Sequence, residues 1–435
     1  MVKKVRVPAC YEQFHCVAAA CSDSCCAGWQ VDVDAVSWKR YQKEEGDFGE
    51  YLHSVMVDVP GEEGQFRLRE DGRCPFLNLS GLCDMYDKLG EKSLCDTCTN
   101  YPRFMEDYGE LREVGIAFSC PEASRLMLSI SEPMQFLEGE VSDKGERSFV
   151  SDVMWRTANM GIEDMVVSDE EGEYIIHSEA FDREYFQMLF HLRETAFCLV
   201  QNRRLSMADR VLLYLDFGMC VQDAFDREAE ESLNGLMDWY KDEQRLLSRL
   251  KRLRKEAEYL GVVDGERIPK GELRYRLLPE YIAVLYQDLK HCKPSWGILL
   301  SEAEKVLHKE MTAEQYHDIY QAYDNDMSQR EYEYEHWLSY FVFKYFLKSY
   351  FDDDIYGKVQ LAVMAYLVVK ELAVCQWVKQ DREFTKENQI ELFHLYSREL
   401  EHSDDNYDMF EDLLHTENMC NGEHLRAILL EWVEF

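Results

Sequence analysis

The stretch Cys16-x4-Cys21-x3-Cys25-Cys26-Ala27-Gly28-Trp29-Gln30, followed by Cys74-x8-Cys83-x11-Cys95-x2-Cys98 and then Cys120, divides this chain into two kinds of sequence. Thiolates are soft ligands, and four of them in a tetrahedral array suit zinc or an iron–sulfur cluster if the backbone turns back sharply between them. Cys95-Asp96-Thr97-Cys98 meets that requirement directly. Nine clustered cysteines exceed one four-ligand site, so spacing leaves two readings open: two centres, or one centre beside thiols that support ligands, react or merely pack. A lone Cys-x2-Cys reads equally well as a redox dithiol. Two clusters in one region favour metal.

Zinc and iron are harder to separate. The spacings match neither the paired knuckles of zinc ribbons nor a bacterial ferredoxin run. Cys21-x3-Cys25 is followed by Gly28 where a radical-type S-adenosylmethionine enzyme places its third ligand, which disfavours that chemistry. Cys10 also lies in this region, whereas Cys198, Cys220, Cys292, Cys375 and Cys420 are scattered singly in apolar patterns, where a free cysteine acts as a small hydrophobe. Fifteen cysteines is an odd number, and no apolar run follows Lys3, Lys4 and Arg6, so reduced thiols and a cytoplasmic location are expected.

Outward from the clusters, the region from Cys10 to about Leu128 is broken by turns such as Pro60-Gly61, Asp71-Gly72 and Tyr101-Pro102. One helix is expected from near Asp34 through Tyr51, with Asp34 as N-cap and Val36, Trp38 and Tyr41 on its apolar side. An acidic, weakly patterned stretch follows, and then amphipathic segments succeed one another from Asp182 to His415 without a fixed repeat. The fold expected is mainly α: an irregular cysteine-rich metal-binding domain over residues 1–135, an acidic connection over 136–180, and an α-helical bundle over 181–435.

The balance of 48 basic against 84 acidic residues gives a net charge of −36, a field that repels nucleic acid and anionic lipid and attracts basic partners. Acidity also serves solubility, so charge alone decides no function. Val359 to Trp377 is the most apolar run, but Gln360, Lys370, Glu371 and Gln376 interrupt it, so it reads as a buried helix rather than a membrane span. The aromatic run from Tyr332 to Phe351 covers nearly every side of its helix and reads as core. Four Glu-x2-His pairs, Glu314/His317, Glu333/His336, Glu391/His394 and Glu399/His402, would each share a helix face as in di-iron bundles; in so glutamate-rich a chain they read as solvated faces.

The residues also carry a resemblance. Phe14-His15-Cys16, the run from Cys21 to Gln30, Arg73-Cys74-Pro75-Phe76-Leu77, Gly81-Leu82-Cys83-Asp84-Met85-Tyr86, Leu94 to Arg103 and Ser119-Cys120-Pro121-Glu122-Ala123 resemble flagellin lysine-N-methylases. The match covers roughly the first 125 residues; the remainder agrees in length, helicity and the Tyr340–Lys358 region. The resemblance implies methyl transfer from S-adenosylmethionine to surface lysines of flagellin and an iron–sulfur cluster, four-iron four-sulfur being favoured and zinc the alternative. By the same resemblance Cys16, Cys21, Cys25, Cys26, Cys74, Cys83, Cys95, Cys98 and Cys120 are candidate ligands. No catalytic residue carries over.

Amine methylation is a direct displacement: a neutral lysine nitrogen attacks the sulfonium methyl, so an amine of pKa ~10.4 must first lose a proton. The reaction needs no redox metal, which points to a structural or donor-positioning cluster. No Gly-x-Gly-x-x-Gly exists in the chain, so an ordinary Rossmann-type donor site is not expected. The competing readings are a metal-stapled scaffold that holds a basic protein and catalyses nothing, and a redox or electron-transfer iron–sulfur protein.

Overall fold

The computed structural model describes residues 2–58, 64–142, 166–169, 172–175, 181–256, 262–263, 266–267, 272–286, 289, 293–415 and 422–430. Cys292, Cys420 and most of the acidic stretch between Glu138 and Asp182 lie outside them. The chain forms two compact units: Met1–Met127 with Gln135–Ala180 and Ser397–Ser403, and Leu128–Met134 with Phe181–Tyr396 and Asp404–Phe435.

The first unit is built on short strands: β1 (Val2–Pro8), β2 (Asp32–Val33), β3 (Met56–Val57), β4 (Gly64–Phe66), β5 (Arg103–Tyr108), β6 (Leu111–Ile116) and β7 (Phe136–Ser142). One sheet has the order β5-β6-β1-β7, with β1 parallel to β6 and antiparallel to β7. Val5 and Val7 of β1 are fully buried at period two, the alternation a strand demands. Between them Arg6 is also buried, 3.9 Å from Glu113 on β6. Gly115 faces Phe104 across the β5–β6 pair, and a Cβ there would sit 2.2 Å from the Phe104 ring, so only glycine lets the ring lie over the backbone. The acidic stretch read as a connection thus begins as β7, an edge strand of this sheet.

A smaller sheet, β2-β4-β3, carries the helices nearest the cysteines. The helix expected from Asp34 through Tyr51 is two: α1 (Ala35–Tyr41) and α2 (Gly46–Val55). Asp34 caps α1 as expected, its Oδ1 accepting from the Ser37 N–H at 2.8 Å. The first ends at Tyr41, and Gly46 opens the second with a φ of +79°, a conformation that glycine adopts without strain. Tyr41 is buried, but Val36 is 76% exposed, contrary to its expected place on the apolar side. Three more helices follow, α3 (Asp84–Leu89), α4 (Asp96–Asn100) and α5 (Pro121–Ser129).

The second unit is helical, as its periodicity predicts. Its elements are α6 (Arg183–Val200), α7 (Met207–Asp226), α8 (Glu230–Tyr240), α9 (Glu243–Glu256), α10 (Leu273–Tyr286), α11 (Pro294–Ala303), α12 (Ala313–Met327), α13 (Glu331–Tyr345), α14 (Ser349–Asp352), α15 (Ile355–Lys379), α16 (Lys386–Glu401, whose residues from Ser397 on belong to the first unit), α17 (Asp404–His415) and α18 (Gly422–Leu430). A π-helical turn, Glu304–Lys309, extends α11. Side-chain caps fix the starts: Asp182 on α6, Ser206 on α7, Asp354 on α15, and a Thr312/Gln315 capping box on α12.

Helix α15 is the centre. Among the described residues it alone is long and apolar enough to cross a bilayer, but 89% of its most apolar window is buried within the protein. It packs against α7, α11, α12, α13 and α17. The approach to α7 depends on Gly218, where a Cβ would meet Val359 at 2.8 Å. The aromatic run of α13 is core: Tyr334, Trp337, Tyr340, Phe341 and Phe343 are buried, and Trp337 stacks on Phe393 at 4.4 Å between ring centroids. Only its end emerges, with Phe351 67% exposed.

The Glu-x2-His pairs correct one expectation. Glu314 is solvated, but Glu333, His336, His394 and Glu399 are buried. Burial is possible because the groups are paired: Glu333 binds Arg330 at 2.8 Å, and His336 Nε2 lies 2.8 Å from the Glu132 carbonyl.

Candidate metal centre

The cysteine loops are positioned by backbone pairing within the first unit. The Cys74 N–H donates to the Cys26 carbonyl at 2.8 Å, and Ala27 bridges Arg73. A second bridge joins Leu77 to Cys83, with the Asp84 N–H donating to the Phe76 carbonyl at 2.8 Å. Cys83 immediately precedes α3, and Cys95 and Cys98 stand at the start of α4. Helix α4 is tied down by Asp34, whose Oδ2 accepts from the Asp96 N–H at 3.0 Å, and by the Thr97 hydroxyl donating to the Asp32 carbonyl at 2.9 Å. Cys74 and Cys95 belong to one apolar core with Val33, Tyr41, Phe66 and Phe76, and Cys26 and Cys83 pack against it.

Cys16, Cys21 and Cys120 are influenced by one another. Ala18–Ala20 forms a short turn whose first N–H is directed at Cys16 Sγ, 3.4 Å away. Cys21 follows, its thiol donating to the Asp23 carbonyl at 3.0 Å. Cys21 lines a groove with Val17, Ala20, Ser22, Pro121, Glu122 and Arg125, and Cys120 precedes that proline.

Burial and mutual interaction perturb most of these thiols. Burial pushes Cys74 up to about 12, with further repulsion from Cys26 and Cys83. Burial also raises Cys83, and Cys26 adds to it. Cys98 is raised far above its ordinary value by its hydrogen bond with Cys95 and by burial, with Cys26 and Cys74 contributing. Burial lifts Cys120 to about 11, helped by Cys21 and Cys16. Cys25 is raised by its hydrogen bond with Cys26, then by burial and by Cys16 and Cys120. Cys26 is the counterpart, lowered to about 7 by the bond from Cys25 and, less strongly, by Ser24 and Arg398. Cys10 is buried apart and raised to about 11 by desolvation.

Two thiol pairs, Cys25 with Cys26 and Cys95 with Cys98, are joined by S–H···S bonds, and among the described residues no three His, Cys, Asp or Glu side chains stand ready to hold one ion. The donor chemistry nevertheless fits a thiolate-bound metal. The candidate donors are all sulfur, the loops that carry them are fixed by backbone bonds, and an ion would replace protons the thiols hold.

Sequence spacing did not reveal the residue that anchors the loop carrying Cys25 and Cys26. Arg398, fully buried and far along the chain, binds Asp23 at 2.8 Å, the Ser24 carbonyl at 3.3 Å and the Ala27 carbonyl. Beside it Trp29 donates its indole N–H to the Cys25 carbonyl at 2.7 Å and lies 4.5 Å from the His402 ring. The separation of 375 residues between Arg398 and Asp23 leaves no local pattern to read.

The helical unit contains a second polar constellation. Glu371 on α15 accepts from His308 Nε2 at 2.6 Å, from Tyr316 at 2.9 Å and from Tyr320. Arg274 lies 3.5 Å over the Tyr320 ring. Burial raises the Glu371 carboxyl, but His308, Arg274 and the tyrosine hydrogen bond outweigh it and leave the group below its ordinary value. Its neighbour Lys370 is lowered by burial although Asp324 binds it at 2.6 Å. His308 sits in the π-helical turn, a local distortion that re-aims side chains.

No solved structure matches this chain. Relatives of known name do. The lysine-N-methylase of Salmonella typhimurium (strain LT2) is 28% identical over 139 residues, 31% of this chain and 35% of that protein, and that of Salmonella choleraesuis matches to the same extent. The flagellar biosynthetic protein FliU of Salmonella muenchen is 28% identical over 135 residues, 30% of this chain and 80% of that protein. The matched region thus spans about a third of the length of the two lysine-N-methylases. The FliB lysine N-methylase C-terminal domain matches residues 193–428, more than half of the chain and the part in which sequence motifs were weakest. The chain belongs to the FliB lysine N-methylase family.

Proposed function

We propose that this protein transfers methyl groups from S-adenosylmethionine to lysine side chains of flagellin, and that its N-terminal thiols hold an iron–sulfur cluster. The match of the FliB lysine N-methylase C-terminal domain over residues 193–428 carries this reading. The names of the relatives, lysine-N-methylase and flagellar biosynthetic protein, support the reaction and a flagellar substrate. A net charge of −36 attracts a lysine-bearing partner. The abundance of free thiols suits a reducing cytoplasm.

The substrate amine must arrive neutral, and burial or a carboxylate partner is what shifts an ammonium toward that state or away from it. The lowered Lys370 shows that the helical unit contains an environment in which burial disfavours an ammonium even beside a carboxylate. The cluster would be held by thiolates drawn from these nine cysteines of the first unit, and when bound it would staple together the loops that carry them. Methyl transfer itself moves a carbon and a proton and calls for no electron.

The test is incubation of purified protein with flagellin and S-adenosylmethionine, followed by mass spectrometry of flagellin peptides. Methylated lysines appear in the complete reaction only. Unmodified flagellin, with protein whose metal content is intact and whose melting temperature does not rise with S-adenosylmethionine, would sink the reading in favour of a scaffold.

A further inference from the structure

We propose that α9 (Glu243–Glu256) is a docking surface for an acidic helical segment of a partner protein, held by Arg245, Lys251, Arg252 and Lys255.

The helix stands apart from the rest of the chain in charge. Six of its 14 residues are basic, in a protein of 84 acidic and 48 basic residues. Two of the six serve the fold. Leu246, Leu250 and Leu253 are buried, and on either side of that apolar face Arg249 and Arg254 reach aspartates of α7. Arg249 grips Asp216 with two bonds, of 2.6 and 2.8 Å, and Arg254 binds Asp209 at 2.7 Å. The other four have no such task. Lys251, Arg252 and Lys255 are exposed and pair with no carboxylate among the described residues, while Arg245 has only Asp242, 3.9 Å away and itself 46% exposed at the side chain. Exposed pairs do form on other helices of the same unit, Arg227 with Asp223 at 2.6 Å and Lys309 with Glu304 at 2.8 Å. A solvated face in so acidic a chain is laced with carboxylates, and this one is not.

Spacing sets the shape of the partner. Arg245, Arg252 and Lys255 stand at i, i+7 and i+10, within about a quarter turn of one another and along about 15 Å of helix, with Lys251 beside them. A second helix laid along this row presents carboxylates at matching i, i+3 and i+7 positions, so one straight segment meets them all. Leu247, 40% exposed at the edge of the row, offers it an apolar contact.

Charge decides between occupants. A nucleic acid or an anionic bilayer extends well beyond one helix, and the net charge of −36 repels it. At physiological salt a surface charge is screened beyond about 8 Å, so a short acidic segment that touches only α9 answers to the local cations. A second copy of this chain would bring its own −36 to the contact, which opposes self-association there.

The experiment is fluorescence anisotropy of a labelled helical peptide as long as α9, with glutamates at i, i+4, i+7 and i+11, titrated with the full-length protein at low and at physiological salt. Saturable binding that weakens with salt is expected. Lys251→Glu with Arg252→Glu and Lys255→Glu should weaken it by roughly tenfold or more, with far-ultraviolet circular dichroism unchanged because Arg249 and Arg254 still dock the helix. Lys251→Gln with Arg252→Gln and Lys255→Gln should fall between, and decides by the same criterion if the first variant does not fold. The proposal is overturned if the peptide does not bind wild type, or binds the folded variants as tightly. It is overturned also if a DNA duplex or phosphatidylserine vesicles bind wild type more tightly than the peptide does, or if sedimentation shows a wild-type dimer that K251E/R252E/K255E abolishes, which makes the occupant a second copy.

Discussion

Arg398→Met is the sharpest perturbation of the first unit. The guanidinium is fully buried and its partner Asp23 is 15% exposed at the side chain, so their 2.8 Å pair is screened little by water. Removing the cation strands a carboxylate and leaves the Ser24 and Ala27 carbonyls without this donor. Breaking a buried pair from one side costs about 3–5 kcal/mol, and the residual exposure of Asp23 sets this case near the lower limit, about 3 kcal/mol. At 1.4 kcal/mol per tenfold that is roughly a hundredfold rise in the unfolded population of the unit. Denaturant unfolding of the reduced, metal-free protein measures it, with Trp29 beside the site as a fluorescent reporter. Hydrogen exchange over residues 22–28 should rise in parallel. Adding Asp23→Asn should recover part of the loss, since no charge is then stranded, and Arg398→Lys should fall between, because an ammonium keeps the charge but not the fork. An R398M protein within about 1 kcal/mol of wild type would refute the anchoring role, since exposed pairs contribute no more than that.

Glu371→Gln removes the charge on which His308, Tyr316 and Tyr320 converge and should destabilise the helical unit by about 3 kcal/mol. Because the folded carboxyl lies below its unfolded value near ~4.3, its contribution is in place above that pH and fades as pH falls through the folded pKa; E371Q should flatten this acid limb in thermal melts. Gly218→Ala places a methyl 2.8 Å from Val359 and should cost about 1–3 kcal/mol despite better helix propensity, with Val359→Ala restoring much of it in a double-mutant cycle. Asp34→Ala removes the acceptor for Ser37 and Asp96 at once, so it should cost about 2 kcal/mol by chemical denaturation and loosen Cys95 and Cys98 toward alkylation.

The helical unit was largely readable because its information is local. Asp182, Ser206 and Thr312 cap helices at the positions their residue types announce. The run from Val359 to Trp377 showed its burial through four polar residues that lipid would not accept. Two of these, Lys370 and Glu371, are paired inside the protein. What escaped was tertiary. The Glu-x2-His pairs read as solvated because glutamate usually is, and only the packed structure supplies Arg330 and the Glu132 carbonyl as partners. The sheet was missed because β1 pairs with strands over a hundred residues away, and its alternation is masked by Arg6, which is buried among carboxylates.

For the thiols, sequence supplied the set and structure shows which of the loops that carry them are joined. Adjacent in the chain, Cys25 and Cys26 are also joined by an S–H···S bond, so here spacing reads contact correctly. Conversely, Cys26 and Cys74 are 48 positions apart and are joined by a backbone hydrogen bond. The loop that carries Cys25 and Cys26 is held by Arg398, which no reading of the cysteine-rich region could include. By the proposal that these thiols hold a metal, a site whose loops depend on a residue from the far end of the chain forms only after that end has folded. The N-terminal region alone is therefore expected to bind metal weakly even with every cysteine present, and a fragment ending before Arg398 that retains full metal content would contradict this.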